Sequence, residues 1–275
     1  MSVRKDIQVF HDPDTATLTY VVWDPGTRDA AIIDPVLDFD PALGAVSSRS
    51  SRKLAKFIQT KRLRVHWVLD THAHADHLSS SSYLRDQGAA EAWGLSEKMF
   101  EVFATFKKAF AWPPSLTLTD LGVDRFFRDG EEFSAGSLRF EALATPGHTA
   151  ACTTYRMDNW LFTGDALFMP DGGVGRCDFP GGSASVLYDS IWEKLYAFPN
   201  HYLTFTGHDY MPGGRPLKWA ASIGEQKRAN IHLRQGISKE EFVRFREGRD
   251  KTLSAPRLLN PSLDWNLGAF QIVKP

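Results

Sequence analysis

The sequence predicts an α/β protein built from two mixed β-sheets packed face to face, with helices on the outside. Three observations lead there. The chain twice runs through several strand-like segments punctuated by helix-like ones. It lacks the regular alternation of strand and helix that marks a doubly wound parallel sheet. Histidines and aspartates, often beside glycine, follow apolar strand-like runs at four separate places.

Taken in order, Ile7 to Phe10, Thr17 to Trp23 and Ala30 to Asp34 read as strands, joined by the turn-forming Asp12-Pro13-Asp14 and Asp24-Pro25-Gly26. They make an antiparallel start to a sheet. Asp34-Pro35 ends the third strand, and Val36 to Ser51 reads as a loop. Ser51 to Lys61 carries Leu54, Phe57 and Ile58 at helical spacing, which predicts an amphipathic helix. Val65 to Leu69 is β-branched and aromatic, so it reads as a buried strand, and Leu78 to Gly88 as a helix. Ala92 to Leu95 is a strand. Glu97 to Ala111 is a helix whose stripe of Met99, Phe100, Phe103, Phe106 and Phe110 faces the core, and Trp112-Pro113-Pro114 ends it.

Phe126-Phe127, Leu138 to Ala144, Thr153 to Met157 and Trp160 to Thr163 are strands, with turn signals at Asp129-Gly130, Ala135-Gly136 and Asp158-Asn159. Tyr202 to Phe205 is a further strand, and Trp219 to Leu233 reads as a helix. Ser238-Lys239-Glu240-Glu241 starts another helix with a capping box, and the charge run Arg244 to Lys251 reads as its solvated face. Residues 1–275 are thus expected to form a single domain with a helical C-terminal extension over about 216–275. The extension leaves two options open, packing back onto the domain or forming a homodimer.

Composition narrows the function. Hydrophobic residues make up 43% and charged residues 24%, as in ordinary globular chains. Lys plus Arg number 32 against 33 for Asp plus Glu, so a net charge of −1 argues against nucleic acid or a membrane surface as the main partner. The N-terminus has no apolar stretch of signal-peptide length, and no window long enough for a membrane span occurs, so a cytoplasmic location is expected. Two cysteines, Cys152 and Cys177, are too few for a disulfide framework. Cys152 reads as a small buried hydrophobe and Cys177 as a neutral loop residue.

The chemistry centres on Thr71-His72-Ala73-His74-Ala75-Asp76-His77. In extended chain, side chains two apart share a face, so His72 and His74 converge while Asp76 and His77 sit where the chain turns. Crowding that many ionisable groups at one strand end is costly unless a divalent metal compensates them. Thr145-Pro146-Gly147-His148-Thr149, Thr163-Gly164-Asp165 and Thr206-Gly207-His208-Asp209-Tyr210 each follow a further strand. Glycine beside each donor lets the backbone turn sharply or approach closely.

This set of motifs, in this order, resembles the metallo-β-lactamase superfamily, an αββα sandwich with metal bound at one edge between its sheets. The resemblance implies one metal site from His72, His74, His148 and Asp165, and a second from Asp76, His77, Asp165 and His208. That inventory suits a two-metal hydrolase. Within the superfamily, Ala75-Asp76-His77, Gly164-Asp165-Ala166-Leu167, Gly175-Arg176-Cys177-Asp178-Phe179 and Gly207-His208-Asp209-Tyr210 resemble the persulfide dioxygenase (glyoxalase II-like) branch. The hydroxyacylglutathione thioesterases usually carry Gly-His-Glu-Tyr instead.

That branch implies one Fe(II) per chain, held by His72, His148 and Asp165 as the catalytic set. His74, Asp76, His77 and His208 then orient ligands or bind a second metal, with two zinc or mixed metals as the alternative content. The implied reaction oxidises glutathione persulfide, or another low-molecular-weight persulfide, with O2 and water to sulfite and glutathione. The alternative is a binuclear thioester hydrolase of the hydroxyacylglutathione type. For substrate, the resemblance assigns contacts to Arg176 and Tyr210, with Arg215, Arg228 and His232 as further candidates. A guanidinium suits either carboxylate of glutathione.

Overall fold

The first strand, β1 (Asp6–Asp12), pairs antiparallel with β2 (Thr17–Trp23), and β2 with β3 (Asp29–Ile33). The computed structural model describes residues 4–268, so the readings made for residues 1–3 and for the last part of the extension, 269–275, lie outside the described residues. After β3 come β4 (Val36–Asp40), β5 (Ala45–Ser47), α1 (Arg49–Lys61), β6 (Arg64–Leu69), β7 (Leu78–Ser79), α2 (Ser81–Asp86), β8 (Ala92–Ser96), α3 (Met99–Ala109) and β9 (Arg125–Phe127). The first sheet has the order β1-β2-β3-β6-β8-β9, antiparallel at its start and parallel from β3 onward.

The second half contributes β10 (Glu131–Ala135), β11 (Leu138–Ala144), β12 (Thr153–Met157), β13 (Trp160–Gly164), α4 (Ala184–Asp189), β14 (Leu203–Thr206), β15 (Ala220–Ser222), α5 (Ile223–Ala229), α6 (Lys239–Asp250) and α7 (Leu259–Asn266). Strands β10 to β15 form the second sheet in chain order, with β13 and β14 parallel and the other pairs antiparallel.

Side-chain alternation explains how the layers stack. On β2, Leu18, Tyr20 and Val22 point into the core between the sheets, where Phe133, Phe140, Tyr155, Phe162 and Phe205 of the second sheet meet them. Val21 and Trp23 point the other way, into a core shared with Leu54 and Ile58 of α1, Val102 and Phe106 of α3 and Leu263 of α7. A third core lies outside the second sheet, where Leu187 of α4 and Phe242 of α6 pack with Leu161. The result is the expected αββα sandwich. Among the described residues no helix is long and apolar enough to cross a membrane.

Several local expectations change. The stretch Val36 to Ser51 is not only loop, because β4 and β5 form a small sheet with β7. From β4, the Asp38 carboxylate accepts the Ser50 N–H at 2.7 Å and starts α1 at Arg49, two residues before the expected Ser51. The helix expected over Leu78 to Gly88 shrinks to α2, since Leu78 and Ser79 pair with β4. The strand β10 completes the hairpin that Ala135-Gly136 signals. The helix expected over Trp219 to Leu233 divides. Ser222 accepts the Glu225 N–H to cap α5, and Asn230 accepts the N–H groups of His232 and Leu233 to end it, leaving Ala220–Ser222 as the last strand of the second sheet.

The charge run Arg244 to Lys251 is not simply a solvated face. Arg246 is only 1% exposed, donates to Asp250 on the same helix and to the carbonyl of Val174, and lies under the second sheet's outer core. The α6 capping box is present, with Ser238 and Glu241 bonded reciprocally. The described part of the tail packs back onto the sheets through α6 and α7.

Candidate metal centre and its cavity

Four strands end at one edge of the sandwich. The segment after β6 carries His72, His74, Asp76 and His77; those after β11, β13 and β14 carry His148, Asp165 and His208. The Leu18 N–H donates to the Gly207 carbonyl at 2.8 Å, which ties the two sheets together beside the site. Two glycines set the spacing. Gly147 has φ of +138° and lies so close to α4 that a Cβ there would meet Leu187 Cα at 2.4 Å; a Cβ at Gly207 would meet Asp165 Oδ1 at 2.6 Å. Any larger residue displaces a donor loop.

The seven side chains expected at the site all reach it. His72, His148 and Asp165 each offer a ligand atom, and these atoms lie within 4.8 Å of one another. His72 Nε2 and His148 Nε2 are 4.0 and 3.7 Å from Asp165 Oδ2. His74, Asp76 and His77 form a second such group. His208 Nε2 sits between them, 3.2 Å from Asp76 Oδ2 and 3.4 Å from Asp165 Oδ1.

Buried polar atoms without hydrogen-bond partners cost free energy, so the unpaired ones are informative. Here they concentrate at this edge: His74 Nδ1, Asp76 Oδ2, His77 Nε2 and Asp165 Oδ1 have none. Imidazole nitrogens and carboxylate oxygens left unpaired together are the donor set of a divalent transition metal. The residues present therefore fit a bound metal.

The opposite faces of these rings are tied down. His148 Nδ1 donates to the Arg176 carbonyl at 2.7 Å, which leaves Nε2 as the lone-pair nitrogen. Thr71 Oγ1 donates to Asp34 Oδ2 at 2.9 Å and meets His72 Nδ1 at 2.9 Å, so His72 also presents Nε2. His74 Nε2 bonds Asp34 Oδ1 at 3.0 Å and turns Nδ1 inward. Burial, reinforced by neighbouring imidazoles, holds His72 and His74 well below the ordinary histidine pKa, so both stay neutral, the ligating form. Burial also raises Asp165. It opposes charge on Asp76 and on His208, but there the ion pairing prevails: the His208 and His77 rings bring Asp76 well below the usual range, and Asp165 and Asp76 raise His208.

Sequence reasoning missed three orienting residues. Asp34 ends β3 just as the donors end their strands, and that position was the available signal; burial pushes its carboxyl up to about 6. Asp70 precedes the histidine motif and accepts from Ser79 Oγ and Trp93 Nε1 at 2.7 and 2.8 Å. Asn266 of α7 donates to the carbonyls of His74 and His77 at 2.8 and 2.9 Å and accepts the Ser79 N–H at 2.7 Å. Nothing local in sequence marks it.

A cavity of about 400 Å³ opens onto the donors, with His148, Asp76 and Asp165 in its floor and Phe168, Val174 and Phe179 in its walls. Of the expected substrate contacts, Arg176, Tyr210 and His232 line it. Tyr210 stacks on His208 at 5.6 Å between ring centroids. The Arg176 guanidinium, however, is engaged by both Asp178 oxygens at 2.6 Å and by the Ser254 carbonyl at 2.8 Å. Arg215 does not line the cavity, since Asp171 and Asp209 hold it elsewhere. Arg228 lies exposed on α5, also outside it. Unforeseen members of the wall are Arg246, Arg249, Leu253, Pro256 and Arg257, all from the tail.

Comparison with known proteins agrees with this architecture. The profile of the metallo-beta-lactamase superfamily matches residues 12–208. A beta-lactamase hydrolase-like protein of Agrobacterium fabrum is 42% identical over 98% of this chain, which spans 62% of that protein's length. The mitochondrial persulfide dioxygenase ETHE1 of Homo sapiens is 32% identical over 85% of this chain and 77% of its own. The crystal structure of ETHE1 from Myxococcus xanthus superposes with a TM-score of 0.76 at 32% identity, covering 96% of this chain and all of that one.

Proposed function

The chain belongs to the metallo-β-lactamase superfamily, and from that premise we propose that it is a persulfide dioxygenase working at a single Fe(II) held by His72, His148 and Asp165. The observation that carries this reading is that His72, His148 and Asp165 bring their ligand atoms within 4.8 Å of one another, two imidazoles and one carboxylate beside an open cavity. Likeness to persulfide dioxygenases over most of the chain supports it. Bound there, Fe(II) supplies open coordination positions for a persulfide sulfur and for dioxygen.

The chain's own residues do the rest. The Arg176 carbonyl and the Thr71 hydroxyl hold the His148 and His72 rings with Nε2 toward the site. His208 places Nε2 between the Asp76 and Asp165 carboxylates, 3.2 and 3.4 Å away, next to the cavity floor. Phe168 and Phe179 exclude bulk water from the reacting end of the substrate. Overall, RSSH, O2 and H2O give RSH, sulfite and two protons, with the outer sulfur oxidised and dioxygen reduced.

The second group of donors favours one other reading, a binuclear hydrolase of glutathione thioesters. Metal analysis of protein made under iron-replete, anaerobic conditions, combined with an oxygen electrode, separates the two. The dioxygenase reading expects one iron per chain and O2 uptake matched by sulfite. Two zinc ions per chain with thioester cleavage and no O2 uptake overturn it.

A further inference from the structure

Four arginines line the cavity, and they are not equivalent. Arg176 is neutralised by Asp178, with two contacts of 2.6 Å. Arg246 is buried, with Nη2 paired to Asp250 and Nη1 donating to the Val174 carbonyl. Arg249 and Arg257 are exposed and, among the described residues, the guanidinium of neither has a hydrogen-bond or ion-pair partner. Of the carboxylates at the cavity, Asp76 and Asp165 belong to the donor set, and Asp14 faces Arg49 at 3.6 Å. Two unpaired positive charges thus stand on one wall.

That wall is a single stretch of chain. Arg249 lies in the last turn of α6 and Arg257 in the segment leading to α7; between them Leu253 and Pro256 add apolar surface. A guanidinium beside apolar surface binds a carboxylate through two parallel N–H donors, and partial removal of water strengthens the contact. His232, on the same cavity, accepts the Val174 N–H on Nδ1 at 3.1 Å, so its remaining hydrogen sits on Nε2 as a neutral donor. Metal donors in the floor, apolar walls and free cations together suit a molecule with a soft reacting end and an anionic end.

We propose that Arg249 and Arg257 form an anion-recognising rim, which engages a carboxylate of the substrate remote from its reacting sulfur. This rests on the dioxygenase reading for the identity of the reacting group, but the rim itself is a binding site and is tested as one. The tail segment, and not the Arg176 loop alone, then sets which persulfides enter.

The test is calorimetric titration of iron-loaded protein, kept anaerobic, with glutathione and with glutathione diethyl ester, which has the same skeleton without the carboxylates. The wild type binds glutathione more tightly than the diester. In Arg249→Ala/Arg257→Ala, glutathione binding weakens by about tenfold or more while diester binding is unchanged, and Arg249→Lys/Arg257→Lys recovers part of the loss. The rim is wrong if the double alanine variant, melting at the wild-type temperature, binds glutathione as the wild type does. It is equally wrong if the wild type does not distinguish acid from ester. Oxygen uptake with glutathione persulfide reports on the chemistry separately: rim-dependent binding without uptake sinks the dioxygenase reading and leaves the rim, whereas uptake with rim-independent binding does the reverse.

Discussion

The side-chain amide of Asn266 donates to the main-chain carbonyl of His77 at 2.9 Å across 189 residues of sequence, and the same side chain also holds His74 and Ser79. Replacing it leaves two carbonyls and one N–H buried without partners, at a cost of about 1–3 kcal/mol for each group left unpaired. Asn266→Ala is therefore expected to melt at lower temperature and to lose its metal faster to a chelator. Unchanged metal loss alongside a lowered melting temperature would reduce Asn266 to a purely structural clasp.

Removing a donor should act on metal content directly. His72→Ala, His148→Ala and Asp165→Ala are each expected to lose bound iron together with oxygen uptake, read by elemental analysis and an oxygen electrode. Full iron and activity in His148→Ala would show the assigned set to be wrong.

Cys177 sits in the loop beside Arg176, where an exposed thiol would invite a role in sulfur chemistry. It is buried instead, its backbone N–H bonded to Asp250 at 2.9 Å, and burial pushes its thiol pKa well up, away from the reactive thiolate. Cys177→Ser should keep most of the activity. A loss of more than about a hundredfold, ~2.7 kcal/mol of transition-state stabilisation, would give the sulfur a part in turnover.

His232 predicts an acid limit. Burial, with the Arg246 and Arg249 charges, lowers its pKa from 6.5 to about 4. Between those values the unfolded chain takes up a proton that the folded chain does not, so stability falls as pH drops from 6.5 toward 4 and levels off below. In His232→Gln, which keeps an acceptor for the Val174 N–H, that fall should be shallower. Melting temperatures measured across this range decide it; parallel curves would show that other groups set the acid limit.

The layered fold was legible because strands buried on both faces read as near-continuous apolar runs, as in Leu18 to Trp23. Donors were legible because each follows a strand and carries its chemistry in its own side chain. What escaped was decided by partners distant in sequence. Asp38 and Ser222 moved helix starts, and Asn230 ended a helix that periodicity alone would have continued. Arg176 looked like a free anchor, but Asp178, two residues on, already holds it. Arg249 sits in a charge run that reads as solvated, and Arg257 lies in the segment beyond it; in a linear chain, nothing marks which of these side chains meets a cavity.

The hydrogen bonds from α7 to the histidine loop also bear on the order in which the site is made. During synthesis the loop emerges with four of its donors long before Asn266 leaves the ribosome, 189 residues after His77. Until then no side chain is in place to fix the carbonyls of His74 and His77, so the loop takes its final form only when the far end of the chain docks.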